Sequence, residues 1–143
     1  MTDAEPMATA QFPFTCSITV RTNDIDGNGH VNNTAYAIYF EQARALYARE
    51  MFDRDRQSPS IVVATLTIDY LAPVHLGDTV QIDVRVTDVG TSSWELEYRL
   101  RTQNGVAASG RSVQVAWNRQ EGTSQDLPTA WRTALLAAEE ASE

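Results

Sequence analysis

The sequence predicts an α+β domain in which an antiparallel sheet wraps one long helix. Three observations lead there. Apolar and polar residues alternate with a period of two in a segment near residue 14 and in a run of segments after residue 60. A single stretch with helical period lies between them. Short turns, among them the pair Asn104-Gly105, divide the later segments at hairpin spacing, which joins neighbouring strands antiparallel.

Residues 1–11 read as a disordered, acidic lead-in without the basic-then-apolar order of a signal peptide. Phe14, Cys16, Ile18 and Val20 then alternate with Thr15, Ser17, Thr19 and Arg21, the pattern of a half-buried strand. Polar turn-formers fill 22–33. Tyr36, Tyr39, Phe40, Ala43, Leu46, Tyr47 and Met51 recur at helical spacing, with Glu41, Arg44, Arg49 and Glu50 mostly on the other side. This is a helix of about four turns, with Asn33 or Thr34 expected as its cap. After a charged break at 53–56, strands are expected over 61–71, 79–89, 93–102 and 106–117. Val80, Ile82, Val84 and Val86 share one face with Trp94, Leu96, Tyr98 and Leu100. Leu127-Pro128 opens a short last helix with Trp131, Leu135 and Leu136 as its stripe. The three tryptophans, Trp94, Trp117 and Trp131, fit packing stripes better than a stacking platform. One domain over 12–137 is therefore expected, followed by an acidic tail at 138–143.

Composition narrows the chemistry. The 143 residues carry a formal charge of −8, and all eleven positive side chains are arginine. Without lysine there is no Schiff base and no Walker-type phosphate loop. A broad binding surface for nucleic acid or anionic lipid is not expected, because a polyanion needs clustered positive charge. The lone cysteine, Cys16, forms no internal disulfide and reads as a small buried hydrophobe. No apolar run is long enough to span a bilayer, so a cytoplasmic protein is expected. Two distant histidines and scattered acids make no metal site, and His75 reads as a solvated loop residue.

The chemically informative stretch lies between the first strand and the helix: Asp24-Ile-Asp26-Gly-Asn28-Gly-His30-Val-Asn32-Asn33-Thr34. As a calcium loop it fails at its twelfth position, where a bidentate glutamate belongs and Ala35 stands. As a turn and helix cap alone, it leaves Asp26 and His30 together unexplained. A third reading joins both halves. The unpaired N–H groups of a helix N-terminus polarise a thioester carbonyl, and an adjacent carboxylate attacks it or activates water. A fourth, an enoyl-CoA hydratase, wants a proline and a His five residues after its Asp; here Asp26 and His30 are four apart with no proline between them.

The run Arg21-x-x-Asp24-x-Asp26-x-x-Gly29-His30-Val31-Asn32-Asn33-x-x-Tyr36-x-x-Tyr39-Phe40-Glu41-x-Ala43-Arg44 closely resembles the hotdog-fold acyl-CoA thioesterases of the 4-hydroxybenzoyl-CoA thioesterase type. The resemblance continues in Ile68-x-Tyr70-x-x-Pro73-Val74-x-x-Gly77-Asp78 and more weakly in Leu127-Pro128-x-x-Trp131. It implies a curled antiparallel sheet around one central helix, in a homodimer or homotetramer with the active site at a subunit interface. The implied reaction hydrolyses acyl-CoA to a free acid and CoA, with no cofactor beyond the substrate. The catalytic aspartate maps onto Asp26, as nucleophile or as general base. The polarising N–H maps onto Asn33, with Thr34 as a neighbour. Asp24 reads as a loop-ordering acceptor. His30 and Asn32 are expected to line the site or orient its loop. Glu41 either sits beside the attacking water or pairs with Arg44 or Arg49. A rival of another class is a non-catalytic acyl-CoA-binding module, which would not need Asp26. A CoA substrate facing a chain of charge −8 needs local arginines or backbone N–H groups for its phosphates. The candidates are Arg54, Arg56, Arg85, Arg99, Arg101 and Arg111.

Overall fold

The computed structural model describes residues 11–142. Strand β1 (Phe14–Ile18) leads through a short 3-10 turn (Thr22–Asp24) to helix α1 (Asn33–Met51). Strands β2 (Ser60–Tyr70), β3 (Val80–Val89), β4 (Ser93–Thr102), β5 (Gly105–Asn118) and β6 (Thr123–Ser124) follow, and helix α2 (Thr129–Ala141) ends the chain. The main strands lie in the order β1-β3-β4-β5-β2, every pair antiparallel, with β6 beside β5. This is the predicted α+β arrangement. A second helix is packed onto β3 at one side.

The period-two pattern places Val80, Ile82, Val84 and Val86 on the same inner face as Trp94, Leu96, Tyr98 and Leu100, all buried in the core that α1 also lines. From the helix come Tyr36, Tyr39, Phe40, Ala43 and Tyr47. Phe40 stacks on Tyr98 with centroids 4.7 Å apart. Gly110 lets that ring approach β5, since a Cβ there would stand 2.7 Å from Phe40 Cε2 and 3.0 Å from the Thr67 carbonyl oxygen. The core also encloses a polar chain. Arg44 Nη1 donates to the Tyr98 hydroxyl at 3.2 Å, which shares a 2.6 Å hydrogen bond with Ser112, itself bonded to Gln114. Gln114 Nε2 then donates to the Trp94 carbonyl at 3.2 Å. Such a chain tolerates burial because each member has a partner.

Several expectations need correction. The cap of α1 is Asn32, one residue before the expected Asn33 or Thr34; its Oδ1 accepts from the Thr34 N–H at 3.1 Å. The helix runs 19 residues, longer than four turns. Leu46 is 36% exposed, while the small residues Ala35 and Ala48 are buried. The domain does not end at 137. Helix α2 continues to Ala141, because Ala138 packs on the core and the Ser142 hydroxyl donates back to the Ala138 carbonyl at 2.8 Å. Residues 138–142 are thus part of the fold, and 143 and 1–10 lie outside the described residues. Phe52 carries the closing cluster. It stacks on Trp131 at 4.4 Å and meets Trp94 edge-on at 5.6 Å. Trp117 stands apart from it, half-buried. Cys16 is half-buried too, and burial, then the Asp83 charge, pushes its thiol pKa up.

The outer face of β3, β4 and β5 is charged. Asp83 is buried between Arg99 and Arg101, each 2.6 Å away, and accepts from Thr15 at 2.7 Å. Glu97 pairs with Arg85 and Arg111, and Glu95 also with Arg111. At the opposite edge, β2 is exposed along most of its length, with apolar Val62, Val63 and Leu66 among its open side chains. Among the described residues no helix is long and apolar enough to cross a membrane.

Candidate active site

The loop between β1 and α1 is ordered by its first acid. Asp24 is 5% exposed. Its Oδ2 accepts from the Arg21 N–H at 3.0 Å and from the Tyr39 hydroxyl at 2.8 Å, while Oδ1 takes the Arg21 guanidinium at 3.2 Å. Burial works to raise the Asp24 pKa, but the bonds from Arg21 and Tyr39 outweigh it and hold the carboxyl below its usual value. The Asp24 carbonyl also accepts from Asn32, and Ile25 bridges to Val31, so the strand end and the helix cap are tied together.

That tie presents a tight five-residue turn. The Asp26 N–H donates to the His30 carbonyl at 2.7 Å, with Gly29 at φ 80°, a conformation side chains resist. Asp26 Oδ1 accepts the N–H groups of Asn28 at 2.8 Å and His30 at 3.1 Å. These bonds, the Asn28 one first, lower the Asp26 pKa. The carboxylate is therefore anchored through one oxygen, and Oδ2 takes part in no hydrogen bond among the described residues.

Just after the turn comes the start of α1. Thr34 N–H is taken by the Asn32 side chain and Ala35 N–H by the Asn32 carbonyl at 2.9 Å. The Asn33 N–H, by contrast, has no partner among the described residues, and it is the open donor of the helix end. Its peptide is steadied from β2, whose Tyr70 hydroxyl donates to the Asn33 carbonyl at 3.0 Å. Tyr70 meets Tyr36 edge-on, centroids 4.9 Å apart.

One cavity of about 290 Å3 gathers Asp26, His30 and Asn33 with Tyr36, Tyr70 and the 71–73 segment. Asn32 and Thr34 stand outside it as the cap pair. Glu41 is elsewhere, about 12 Å down the helix by its rise, on a separate groove of about 640 Å3 that runs between α1 and β2 over Ile38, Arg44, Val62 and Leu66. It forms no ion pair with Arg44 or Arg49 among the described residues, since Arg44 turns inward to Tyr98. His75 is exposed as expected, yet it forms a backbone bridge to His30 and sets its ring edge-on to it at 5.0 Å. Asp78 accepts the His75 N–H at 2.8 Å. Tyr36 and Tyr70 carried no predicted role; the signal for Tyr70 was a large aromatic at an exposed strand end. Among the described residues no three His, Cys, Asp or Glu side chains gather closely enough to hold a metal.

The chain that builds this cavity, lined by Asp26 and by Asn33 at the helix end, has known relatives. The thioesterase-like superfamily's sequence pattern covers residues 20–138 of this chain. This chain belongs to that superfamily. Among relatives of this thioesterase-like chain, an acyl-CoA thioesterase of Haemophilus influenzae, YbgC, is 32% identical over 108 residues, spanning 72% of this chain and 79% of that protein. An uncharacterized Bacillus subtilis protein, YsmA, is 32% identical over 128 residues, spanning 87% and 86%. A Thermus thermophilus thioesterase, solved with coenzyme A and zinc, superposes with a TM-score of 0.81 at 34% identity, covering 91% of this chain and 96% of that one. The hotdog architecture of the thioesterases is thus the architecture of this chain.

Proposed function

We propose that the protein hydrolyses acyl-CoA thioesters to a carboxylic acid and CoA. The observation that carries this is one cavity lined both by Asp26 and by Asn33, whose N–H at the start of α1 has no partner among the described residues. The thioester carbonyl oxygen sits on the Asn33 N–H, where the helix end stabilises the negative charge that develops as the carbon becomes tetrahedral. Thr34 N–H, engaged by Asn32, acts through the cap and not on the substrate.

Asp26 supplies the other half. With Oδ1 held by two backbone N–H groups, Oδ2 points its charge at the carbonyl carbon or at a water beside it. The lowered pKa keeps the carboxylate ionised, able to activate a water or to attack the carbonyl carbon directly. In the direct route Oδ2 bonds to the acyl carbon, the C–S bond breaks, and CoA leaves as the thiolate and gains a proton. Water then cleaves the acyl anhydride and restores the aspartate. His30 fixes Asp26 through its N–H and walls the cavity, and Glu41 lines the separate groove between α1 and β2. The scheme requires no cofactor beyond the substrate and water.

The active unit in this proposal is a homodimer joined through β2. An 11-residue edge strand with one charged residue, Asp69, lacks the lysines and prolines that guard free edges. Antiparallel pairing with a second copy of β2 satisfies that edge and covers the groove beside Val62 and Leu66.

Thiol release from a panel of acyl-CoAs tests the reading. Asp26→Asn is expected to lose about 10²- to 10⁴-fold in kcat, the range for removal of such a group. A wild type that binds CoA and releases no thiol would make the protein a binding module, full activity in Asp26→Asn would remove Asp26 from the chemistry, and hydration of crotonyl-CoA would point to a hydratase.

A further inference from the structure

Six arginines stand as candidates to meet the CoA phosphates, and their partners divide them. Arg85, Arg99, Arg101 and Arg111 are engaged with Asp83, Glu95 and Glu97 on the outer face of the sheet. A guanidinium already neutralised by a carboxylate offers little to a phosphate. Arg54 and Arg56 differ. Arg54 lies over the Trp131 ring, 6.0 Å from its centroid, and lines the α1–β2 groove with Glu41. Arg56 shares another cavity with Arg119, which the sequence did not single out. Among the described residues neither Arg56 nor Arg119 lies within ion-pairing distance of a carboxylate.

Both line one cavity of about 270 Å3 at the start of β2, whose walls include Trp117, Asn118 and Gln125 and no acidic residue. Arg119 is preset there. Its Nη1 donates to the Ser60 hydroxyl at 2.7 Å and its Nη2 to the Arg56 carbonyl at 3.4 Å. The nearby Asp55 carboxylate is turned onto its own loop, accepting the N–H groups of Gln57 and Ser58. Trp117 lies outside the Phe52, Trp94 and Trp131 cluster that buries the other two tryptophans. A flat ring, two guanidinium groups without carboxylates and side-chain amides suit a purine ring with attached phosphates.

Within one chain this cavity is remote from the thioester site. It sits at Ser60, whereas the active cavity sits at Tyr70, roughly 30 Å away along the strand by its rise. Two-fold antiparallel pairing of β2 near Thr65 reverses that relation, because it sets Ser60 opposite the partner's Tyr70. We propose that Arg56, Arg119 and Trp117 bind the phosphorylated adenosine end of CoA for the active site of the partner subunit. The proposal rests on the thioesterase reading and on pairing through β2.

The test uses full-length Arg56→Ala/Arg119→Ala and Asp26→Asn chains, with an acyl-CoA and the matching S-acyl-pantetheine, which lacks the nucleotide. In the arginine double variant, KM for acyl-CoA is expected to rise roughly tenfold or more with kcat little changed, and the preference for acyl-CoA over acyl-pantetheine to fall by the same factor. An unchanged KM overturns the proposal. Co-expression of the double variant with Asp26→Asn under two affinity tags isolates the mixed dimer. Action across the interface rebuilds one complete site, so the mixed dimer is expected to show the wild-type KM at about half the wild-type kcat. A mixed dimer that keeps the raised KM places the arginines with their own chain's site and overturns the proposal. A wild type that hydrolyses no acyl-CoA instead overturns the functional reading. Calorimetric titration with CoA then judges the arginines alone: tenfold weaker binding by the double variant supports them, and equal binding overturns them.

Discussion

Replacing Asp24 by alanine isolates what the buried acid does for the loop. The substitution removes the acceptor of the Tyr39 hydroxyl at 2.8 Å and of the Arg21 N–H at 3.0 Å. Tyr39 is buried, so its hydroxyl loses its partner with no water to replace it. An unsatisfied buried group costs about 1–3 kcal/mol, and the more exposed Arg21 adds less, which gives about 2–4 kcal/mol in all. For a chain of this size that corresponds to a Tm lower by about 5–12 °C. Asp24→Asn keeps acceptor oxygen and is expected to cost about 1 kcal/mol. Urea unfolding at matched protein concentration measures both. The pH dependence supplies a sign: the folded-state pKa of Asp24 is lowered, so its contribution is complete above the ordinary aspartate value and disappears as pH falls through the depressed one. The gap between wild type and Asp24→Ala should accordingly close in acid. Equal urea midpoints at neutral pH, or a gap that widens in acid, would refute the argument.

Gly110→Ala places a Cβ 2.7 Å from Phe40 and 3.0 Å from a backbone oxygen, so overpacking of about 1–3 kcal/mol is expected in the same urea assay. Asp26 is held ionised chiefly by the Asn28 and His30 N–H groups; the acid limb of kcat/KM is therefore expected below the ordinary aspartate value, and a pH profile whose acid limb lies near neutrality would contradict it.

Where side-chain period alone decides structure, the sequence was readable. The alternation of Val80, Ile82, Val84 and Val86 set the inner face of β3 correctly, and 93–102 matched β4 at both ends. Boundaries that depend on hydrogen bonds were less so. Asn32, Asn33 and Thr34 are all good cap residues, and only the Asp24 carbonyl bound to Asn32 selects which one caps. The loop from Asp24 to Asn33 declared its chemistry because so many polar residues in a short stretch cannot be core. Tyr36, Tyr70 and His75 reach the same place from a helix, a strand end and a turn, and no local pattern links them. The arginines were equivalent as letters. Their carboxylate partners across β3, β4 and β5 separate them, and those are contacts between residues 12 or more positions apart.

The clasp of Phe52 between Trp94 and Trp131 governs when the chain can fold. Helix α2 follows every strand in the sequence, yet its Trp131 closes the far end of α1, and β1 pairs with β3 at Thr15 and Asp83, 68 positions apart. Before α2 docks, Phe52 and Trp94 lack the Trp131 ring that packs on them. Contacts this distant make closure slow compared with a helical bundle. A folding intermediate without β5 and α2 in place holds exposed apolar surface and an unguarded β2 edge together, a combination prone to aggregation.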